Sequence, residues 1–155
     1  MIDMMQLAAF NAAYAQTIDT DALEAWPDYF TPDCHYRITN AENEAEGLPA
    51  GIVWADSRDM LADRIAALRE ANVYERQRYR HILGMPMVMG SPSEAEVRAA
   101  TPFMVARIMH TGETELFATG EYRDRFVRHE GKLLLAERVA VCDSTVTDTL
   151  LALPL

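Results

Sequence analysis

Three arginines and a histidine in one short run have the strongest potential for chemistry in this sequence. Arg76, Arg78 and Arg80 occupy alternate positions, and His81 follows directly. In a strand the three arginines share one face, and His81 lies on the opposite face. Guanidinium groups are planar, permanently charged donors that suit carboxylates, so Arg76, Arg78, Arg80 and His81 are candidates for a partner interface. The alternative is a solvated edge strand, although such edges favour lysine and this chain has a single lysine, Lys132.

The histidines offer a second possibility, general acid–base catalysis. His35 or His81 could pair with Asp63, Asp124 or Asp143 to abstract a proton or to drive a dehydration. A histidine within a strand is more often a hydrogen-bonded structural residue. We therefore predict no catalytic residue in this chain and keep an acid–base enzyme as the alternative.

The cysteines and histidines do not have the spacing of a metal or cluster site. Cys34 and His35 are adjacent and Cys142 has no histidine near it, whereas a Rieske cluster needs two groups of paired ligands. The sequence has no CxxC motif, no glycine-rich phosphate loop and no GxSxG elbow. We predict that this chain alone holds neither a metal nor a cofactor, and that both cysteines are reduced, small and partly buried.

Composition indicates a globular protein that binds neither nucleic acid nor membranes. The 155 residues are 50% hydrophobic and 25% charged, with a net charge of -10. This acidic field opposes binding to nucleic acids and anionic membranes. The first residues lack the features of a secretory signal, and no apolar run reaches the roughly 18 residues of a membrane span. The sequence predicts one cytoplasmic domain over residues 1–155.

The first half of the chain has apolar residues at helical spacing. Leu7, Phe10, Tyr14 and Ile18 predict a helix over Asp3–Gln16. A short helix follows, capped by Thr20 and ended by Pro27, with Leu23 and Trp26 inward. After it we expect a strand Cys34–Thr39, a loop Asn40–Gly51 and a short apolar run Ile52–Trp54. The last element of this half is a helix capped by Asp56 or Ser57, whose inward residues are Met60, Leu61, Ile65 and Leu68.

From Arg76 onward the apolar residues alternate, which is typical of strands. We expect a strand from Arg76 to Met89 and a turn at Gly90–Ser93. The next strand has Pro102 at an edge or bulge, ends at a turn Thr111–Glu113, and carries on one face Val97, Ala99, Thr101, Phe103, Val105 and Met109. A third strand, with a bulge or bend at Gly120, carries Leu116, Ala118, Gly120, Tyr122 and Phe126, and is followed by a hairpin turn Glu130–Gly131, a strand Leu133–Cys142 and an apolar tail Leu150–Leu155. Met85, Met87 and Met89 alternate and suit an adaptable core or an interface.

Helices followed by long antiparallel strands predict an α+β fold. Hairpins and glycine bends favour a strongly curved sheet with the helices on its concave side, which gives a cone whose mouth can hold a pocket.

Four segments carry a resemblance to a known family. They are Phe10–Ala15, Asp33–Tyr36, Gly51–Asp56 and Glu75–Gly84, and Glu137–Ser144 and Asp148–Leu150 agree with them. Together they resemble the small, or beta, subunits of ring-hydroxylating Rieske dioxygenases, and the likeness covers nearly the whole chain. Its most characteristic part is the Arg-x-Arg-His run of Arg78–His81.

The resemblance implies a cystatin-like cone shared with scytalone dehydratase, and a non-catalytic role in assembly. It implies a large alpha subunit that carries a Rieske [2Fe–2S] centre and a mononuclear Fe(II), an alpha3beta3 hexamer, and a reductase that supplies electrons from NAD(P)H. The reaction would be the cis-dihydroxylation of an aromatic acid by O2. The alternatives are a free-standing dehydratase or isomerase of the cone fold and a ligand-binding scaffold.

Overall fold

The computed structural model describes residues 1–47, 53–71, 76–144 and 153–155. Its elements in chain order are α1 (Met4–Asp19), a 3-10 helix (Leu23–Tyr29), β1 (Phe30–Asn40), α2 (Ala41–Ala45), β2 (Val53–Ala55), α3 (Arg58–Ala71), β3 (Gln77–Leu83), β4 (Met87–Ser93), β5 (Glu96–Met109), β6 (Thr114–His129) and β7 (Lys132–Cys142).

The strands form one mixed sheet with the order β2-β1-β7-β6-β5-β3, and β4 pairs with β5 beyond the end of β3. The β1–β7 pair is parallel and the other pairs are antiparallel. Helices α1 and α3 contact the sheet and the 3-10 helix, so the core lies between the helices and one sheet face. This confirms the predicted α+β architecture, but the sheet is mixed rather than wholly antiparallel, because β1 pairs in parallel with β7.

The first helix is longer than expected, and its end corrects a predicted cap. Asp3 and Gln6 form a capping box at the start of α1, which continues to Asp19 rather than Gln16. Thr20 does not begin the next helix: its hydroxyl donates to the Gln16 carbonyl oxygen at 2.8 Å and ends α1. Pro27 lies inside the 3-10 helix rather than at its end.

The predicted loop Asn40–Gly51 begins with a short helix. The Asn40 side chain accepts from the Asn43 backbone N–H at 2.8 Å and caps α2, so the loop prediction is wrong over Ala41–Ala45. Residues 48–52 of that loop and of the next apolar run lie outside the described residues. Ser57 caps α3 by accepting from the Met60 N–H at 3.1 Å, and Met60 is exposed rather than inward.

The single strand predicted for Arg76–Met89 is two strands, β3 and β4, that pair with successive parts of β5. At the break, the Gly84 N–H donates to the Pro102 carbonyl oxygen at 2.9 Å. Pro102 is in the internal strand β5 and not at an edge of the sheet. Proline has no N–H to donate to a neighbouring strand, and this position of β5 lies opposite the interval between β3 and β4, where no backbone hydrogen bond from it is needed. The turn after β4 is at Glu94–Ala95, because residues 90–93 belong to the strand.

Strand β6 is irregular at a different place from the one predicted. Its register with β5 shifts between Val105 and Ala106, which leaves Phe117 as the extra residue. Phe117 packs against the core, and Leu116 is 63% exposed rather than inward. Gly120 is paired regularly with Phe103 on β5 and with Cys142 on β7, and has no bulge.

The end of the apolar tail is covered by the chain itself. Leu153 and Leu155 are buried, and the hydroxyls of Tyr14 and Tyr36 donate to the Leu155 carbonyl oxygen at 2.8 and 3.1 Å. These two leucines therefore do not need a partner to cover them. The rest of the predicted tail, residues 150–152, lies outside the described residues.

Candidate functional site

The alternation predicted for the arginine run is present in β3. Arg76, Arg78 and Arg80 are exposed, and Tyr79 and His81 are buried on the other face. Within the described part of the chain, no carboxylate lies within 4.0 Å of any of the three guanidinium groups. Arg78 and Arg80 lie on the face of β3 that points away from the core, and Arg76 directly precedes the strand. Tyr74 and Glu75, which precede Arg76, lie outside the described residues.

His81 is separated from the arginines and joined to α1. Its ring Nδ1 lies 2.6 Å from Asp19 Oδ1, and its backbone N–H donates to Asp19 Oδ2 at 2.9 Å. The side chain of His81 is 0% exposed and that of Asp19 is 4% exposed. The Asp19 carboxylate at the end of α1 therefore fixes both the ring and the backbone N–H of His81. This arrangement holds β3 against α1 and is typical of a structural residue.

A cleft of about 700 Å³ lies between the end of α1 and the end of β5 nearest the turn that follows it. Arg76, Arg78 and Gln77 line one side, and Ile18, Asp19 and Ile108 are among the others. Among the described residues that line this cleft, the two carboxylates are engaged, Asp19 with His81 and Asp21 with Arg69. Among the described lining residues, the charges without a carboxylate or cation partner are therefore those of the arginines.

His35 also has an aspartate partner, at the opposite edge of the sheet. Its Nδ1 lies 2.7 Å from Asp56 Oδ1, with 29% of the histidine side chain and 52% of the aspartate side chain exposed. Trp54 packs near the imidazole, with the ring centroids 6.4 Å apart. This pair is open to solvent, which distinguishes it from the sealed pair of Asp19 and His81.

The predicted pairs of His35 or His81 with Asp63, Asp124 or Asp143 are wrong, because none of these three aspartates, all in the described part of the chain, forms a hydrogen bond or ion pair with either histidine. Asp124 binds Arg138, and Asp143 accepts from the Thr119 hydroxyl at 2.9 Å. Asp63 is exposed on α3. Sequence spacing carried no signal for Asp19 or Asp56, because each meets its histidine only through the packing of distant elements.

The most buried charge is a cluster that the sequence did not predict. Arg138 donates through Nε and Nη2 to the two oxygens of Asp124, both at 2.8 Å, and Nη2 also donates to Asn11 Oδ1 at 2.6 Å. The guanidinium carbon lies 4.3 Å from the ring centroid of Tyr14 and 3.9 Å from that of Tyr122. Nε and Nη2 are engaged inside the protein, whereas the buried Nη1 has no hydrogen-bond partner among the described residues. With its carboxylate, amide and aromatic contacts all internal, this cation organises the interior.

Burial and pairing oppose each other in this cluster. Burial alone would lower the pKa of the Arg138 guanidinium, but the charge and hydrogen bonds of Asp124 outweigh it and raise that pKa. Burial raises the pKa of the Asp124 carboxyl, against the effect of Arg138. We regard the pair as charged at neutral pH because its geometry is bidentate and both side chains are sealed from water.

Residues suited to metal binding are not brought together. Within the described ranges, no three His, Cys, Asp or Glu side chains are placed so that they could hold a metal ion. Cys34 and Cys142 are free and buried, and burial raises the pKa of each thiol to about 11. These residues do not fit a Rieske cluster or a mononuclear iron.

The three alternating methionines, for which the sequence left a core or an interface open, are exposed and not part of the core. Met85, Met87 and Met89 are 56%, 64% and 64% exposed. Ile82 and Met104, which are not among the residues predicted to form an interface, are 59% and 41% exposed. The alternation itself contained this signal, because Ile82 is in phase with Arg78 and Arg80, and Met104 is out of phase with the buried residues of β5.

Comparison with known proteins identifies close relatives. A family model for a SnoaL-like domain matches residues 1–139. The chain is 69% identical to the terephthalate 1,2-dioxygenase terminal oxygenase component subunit beta 1 of Comamonas sp., over 100% of both chains. No helix among the described residues is long and apolar enough to cross a membrane.

Solved structures agree with the fold. A beta subunit assigned to an aromatic-ring-hydroxylating dioxygenase of Novosphingobium aromaticivorans superposes with a TM-score of 0.89 and 37% identity, covering 98% of this chain and 96% of that one. A protein assigned as a scytalone dehydratase from the same organism has a TM-score of 0.70 at 16% identity, covering 97% and 90%. The second likeness concerns the fold alone and confirms the predicted cone.

Proposed function

This chain belongs to the SnoaL-like family and, within it, to the beta subunits of aromatic-ring-hydroxylating dioxygenases, and on that premise we propose that it is the small subunit of a terephthalate 1,2-dioxygenase. The observation that carries the substrate assignment is 69% identity over the full length of a terephthalate enzyme subunit. The chain serves the oxygenase as an assembly subunit, and residues 1–155 act as one domain.

The chemistry belongs to a partner chain in this proposal. A large alpha subunit holds a Rieske [2Fe–2S] centre and a mononuclear Fe(II), in an alpha3beta3 hexamer served by a separate reductase. Terephthalate, O2, NADH and a proton give 1,2-dihydroxy-3,5-cyclohexadiene-1,4-dicarboxylate and NAD+. We place the complex in the cytoplasm, where NAD(P)H is available.

Features of this chain support an assembly role. Two pairs of buried charged groups are engaged with each other: Asp19 with His81 and Asp124 with Arg138. Arg76, Arg78 and Arg80 face outward without a carboxylate partner among the described residues, and His81 anchors their strand to α1. We propose that the three arginines contact the alpha subunit and that His81 positions them.

A free-standing dehydratase is the second candidate, and the close pairing of His81 with Asp19 is the observation in its favour. A histidine that acts as a general base must reach its substrate. The His81 side chain is 0% exposed, and its Nε2 is buried. The geometry therefore favours the assembly role.

Co-expression with the alpha subunit tests the proposal. We expect the two chains to co-purify at equal stoichiometry, with iron following the alpha subunit and oxidation of terephthalate on addition of reductase and NADH. The chain alone is expected to oxidise nothing. The assignment is overturned if the alpha subunit purifies fully active without this chain, or if the purified chain alone catalyses a dehydration that His81→Ala abolishes.

A further inference from the structure

Apolar side chains cover part of the sheet face that points away from the core. Ile82, Met87, Met104 and Leu116, which we call the outer patch, are 59%, 64%, 41% and 63% exposed. They come from four strands, β3, β4, β5 and β6. Four large exposed apolar side chains from neighbouring strands distinguish this face from a surface with scattered apolar residues.

Strand register makes the outer patch continuous. Ile82 of β3 pairs directly with Met104 of β5, and Met87 of β4 pairs with Ala100, which is also on β5. Leu116 pairs with Ala106, which adjoins Met104 on the outer face. Side chains on one face of paired strands lie about 5 Å apart when they are directly opposite, so these residues form one surface rather than isolated positions.

Arginines border the outer patch at both ends. Arg80 pairs with Ala106 at one end, and Arg78 is next to it along β3. Arg98 lies at the other end, two residues beyond Ala100 on β5. Within the described part of the chain none of the three has a carboxylate partner, although the whole protein has a net charge of -10. An apolar centre with unpaired arginines around it is the composition of a protein–protein interface.

The charges indicate what covers the patch. In a face-to-face pair of two copies, each arginine end of one patch would meet an arginine end of the other, and such like-charge contacts are unfavourable. A partner with an apolar centre and acidic groups at its edges complements the surface. We propose that the outer patch and Arg78, Arg80 and Arg98 form the docking surface for the alpha subunit, an inference that rests on the proposed function.

Charge insertion on this face tests the docking surface. We would co-express the tagged alpha subunit with Met104→Glu, Leu116→Glu or Arg80→Glu variants of the untagged chain, and measure the affinity of the purified partners. The matched controls are Met5→Glu, at an apolar residue on α1 that is 68% exposed, and Lys132→Glu, at the exposed first residue of β7. Circular dichroism and thermal unfolding verify that each variant is folded.

We expect the three patch variants to weaken binding by roughly tenfold or more, as central interface residues do, and the two controls to bind like the wild type. If the wild-type chain binds the alpha subunit and the folded patch variants bind equally well, the docking surface is wrong and the proposed function stands. If the wild-type chain does not bind, the proposed function fails first. A patch variant that dissociates a homo-oligomer of this chain but still binds the alpha subunit overturns the inference in favour of a second copy.

Discussion

Arg138 and Asp124 form a bidentate ion pair inside the sheet, with two hydrogen bonds of 2.8 Å and 0% exposure of either side chain. They lie on adjacent antiparallel strands, where Asp124 pairs directly with Arg138 across β6 and β7. The strand register therefore delivers the two charges to one point. Tyr14, Tyr122 and Asn11 close around the guanidinium from the helix and the sheet.

Removing one member of this pair leaves a buried charge without a partner. We expect Asp124→Ala to lower the free energy of unfolding by about 3–5 kcal/mol, measured by urea denaturation. The control is the exposed pair of Arg123 and Glu121, where Glu121→Ala is expected to cost at most about 1 kcal/mol. Equal losses at the two sites would contradict the sealed-pair interpretation.

Replacing both Arg138 and Asp124 tests whether the loss of stability comes from an unpaired buried charge. The double variant Asp124→Leu with Arg138→Met removes both charges together. It is expected to be more stable than Asp124→Ala, because no uncompensated cation remains.

Gly120 lies against the backbone of β7 and leaves no room for a methyl group. A Cβ there would be 2.1 Å from the Val141 carbonyl oxygen. We expect Gly120→Ala to lower the free energy of unfolding by about 1–3 kcal/mol, because backbone cannot move aside as a flexible side chain can. Gly90→Ala is the control, since a Cβ at Gly90 has nothing within 4 Å. Thermal unfolding of both variants measures the difference, and an unaffected Gly120→Ala would contradict the contact.

The cysteine thiols are expected to be inert in the folded protein. Burial raises the pKa of Cys34 and of Cys142 to about 11. Since the thiolate is the reactive form, labelling by a disulfide reagent at pH 8 should be slow in the native state and rapid in denaturant. Fast native labelling of either thiol would contradict its burial.

The same pKa shifts predict a direction for stability. The folded state keeps these thiols protonated after those of the unfolded chain ionise. Their contribution is therefore fully present below about pH 9 and is lost as the pH rises towards about 11. A Cys34→Ala variant is expected to show a smaller loss over that interval.

The sequence predicted the elements that depend on local pattern. Alternation located the buried residues of β1 and β5, and Glu130–Gly131 forms the expected two-residue turn with positive φ at both positions. The break between β3 and β4 was missed, because Pro102, which faces it, is 18 residues further along the chain than Gly84. The apolar phase of Leu116 was assigned incorrectly, because a single extra residue at Phe117 reverses the faces of the strand before it.

The arginine face of the candidate site was predictable, because it depends only on the two-residue alternation of a strand. The partner of His81 was not predictable. Periodicity of two places Arg78 and Arg80 opposite His81 without any knowledge of the fold. Asp19 reaches His81 across 62 positions of sequence, through the packing of α1 on β3. Contacts of that kind depend on tertiary packing, which the residue pattern of neither segment encodes.

Asp19 decides whether His81 is structural or catalytic, because its carboxylate accepts from both the ring and the backbone of that residue. We expect Asp19→Ala to lower the free energy of unfolding by about 1–3 kcal/mol, since a buried N–H loses its acceptor. Asp56→Ala, at the solvent-exposed pair with His35, should cost at most about 1 kcal/mol. Activity per assembled oxygenase should be unchanged in both variants. A stable Asp19→Ala chain whose complex assembles but has lost turnover would instead assign the pair a part in the chemistry.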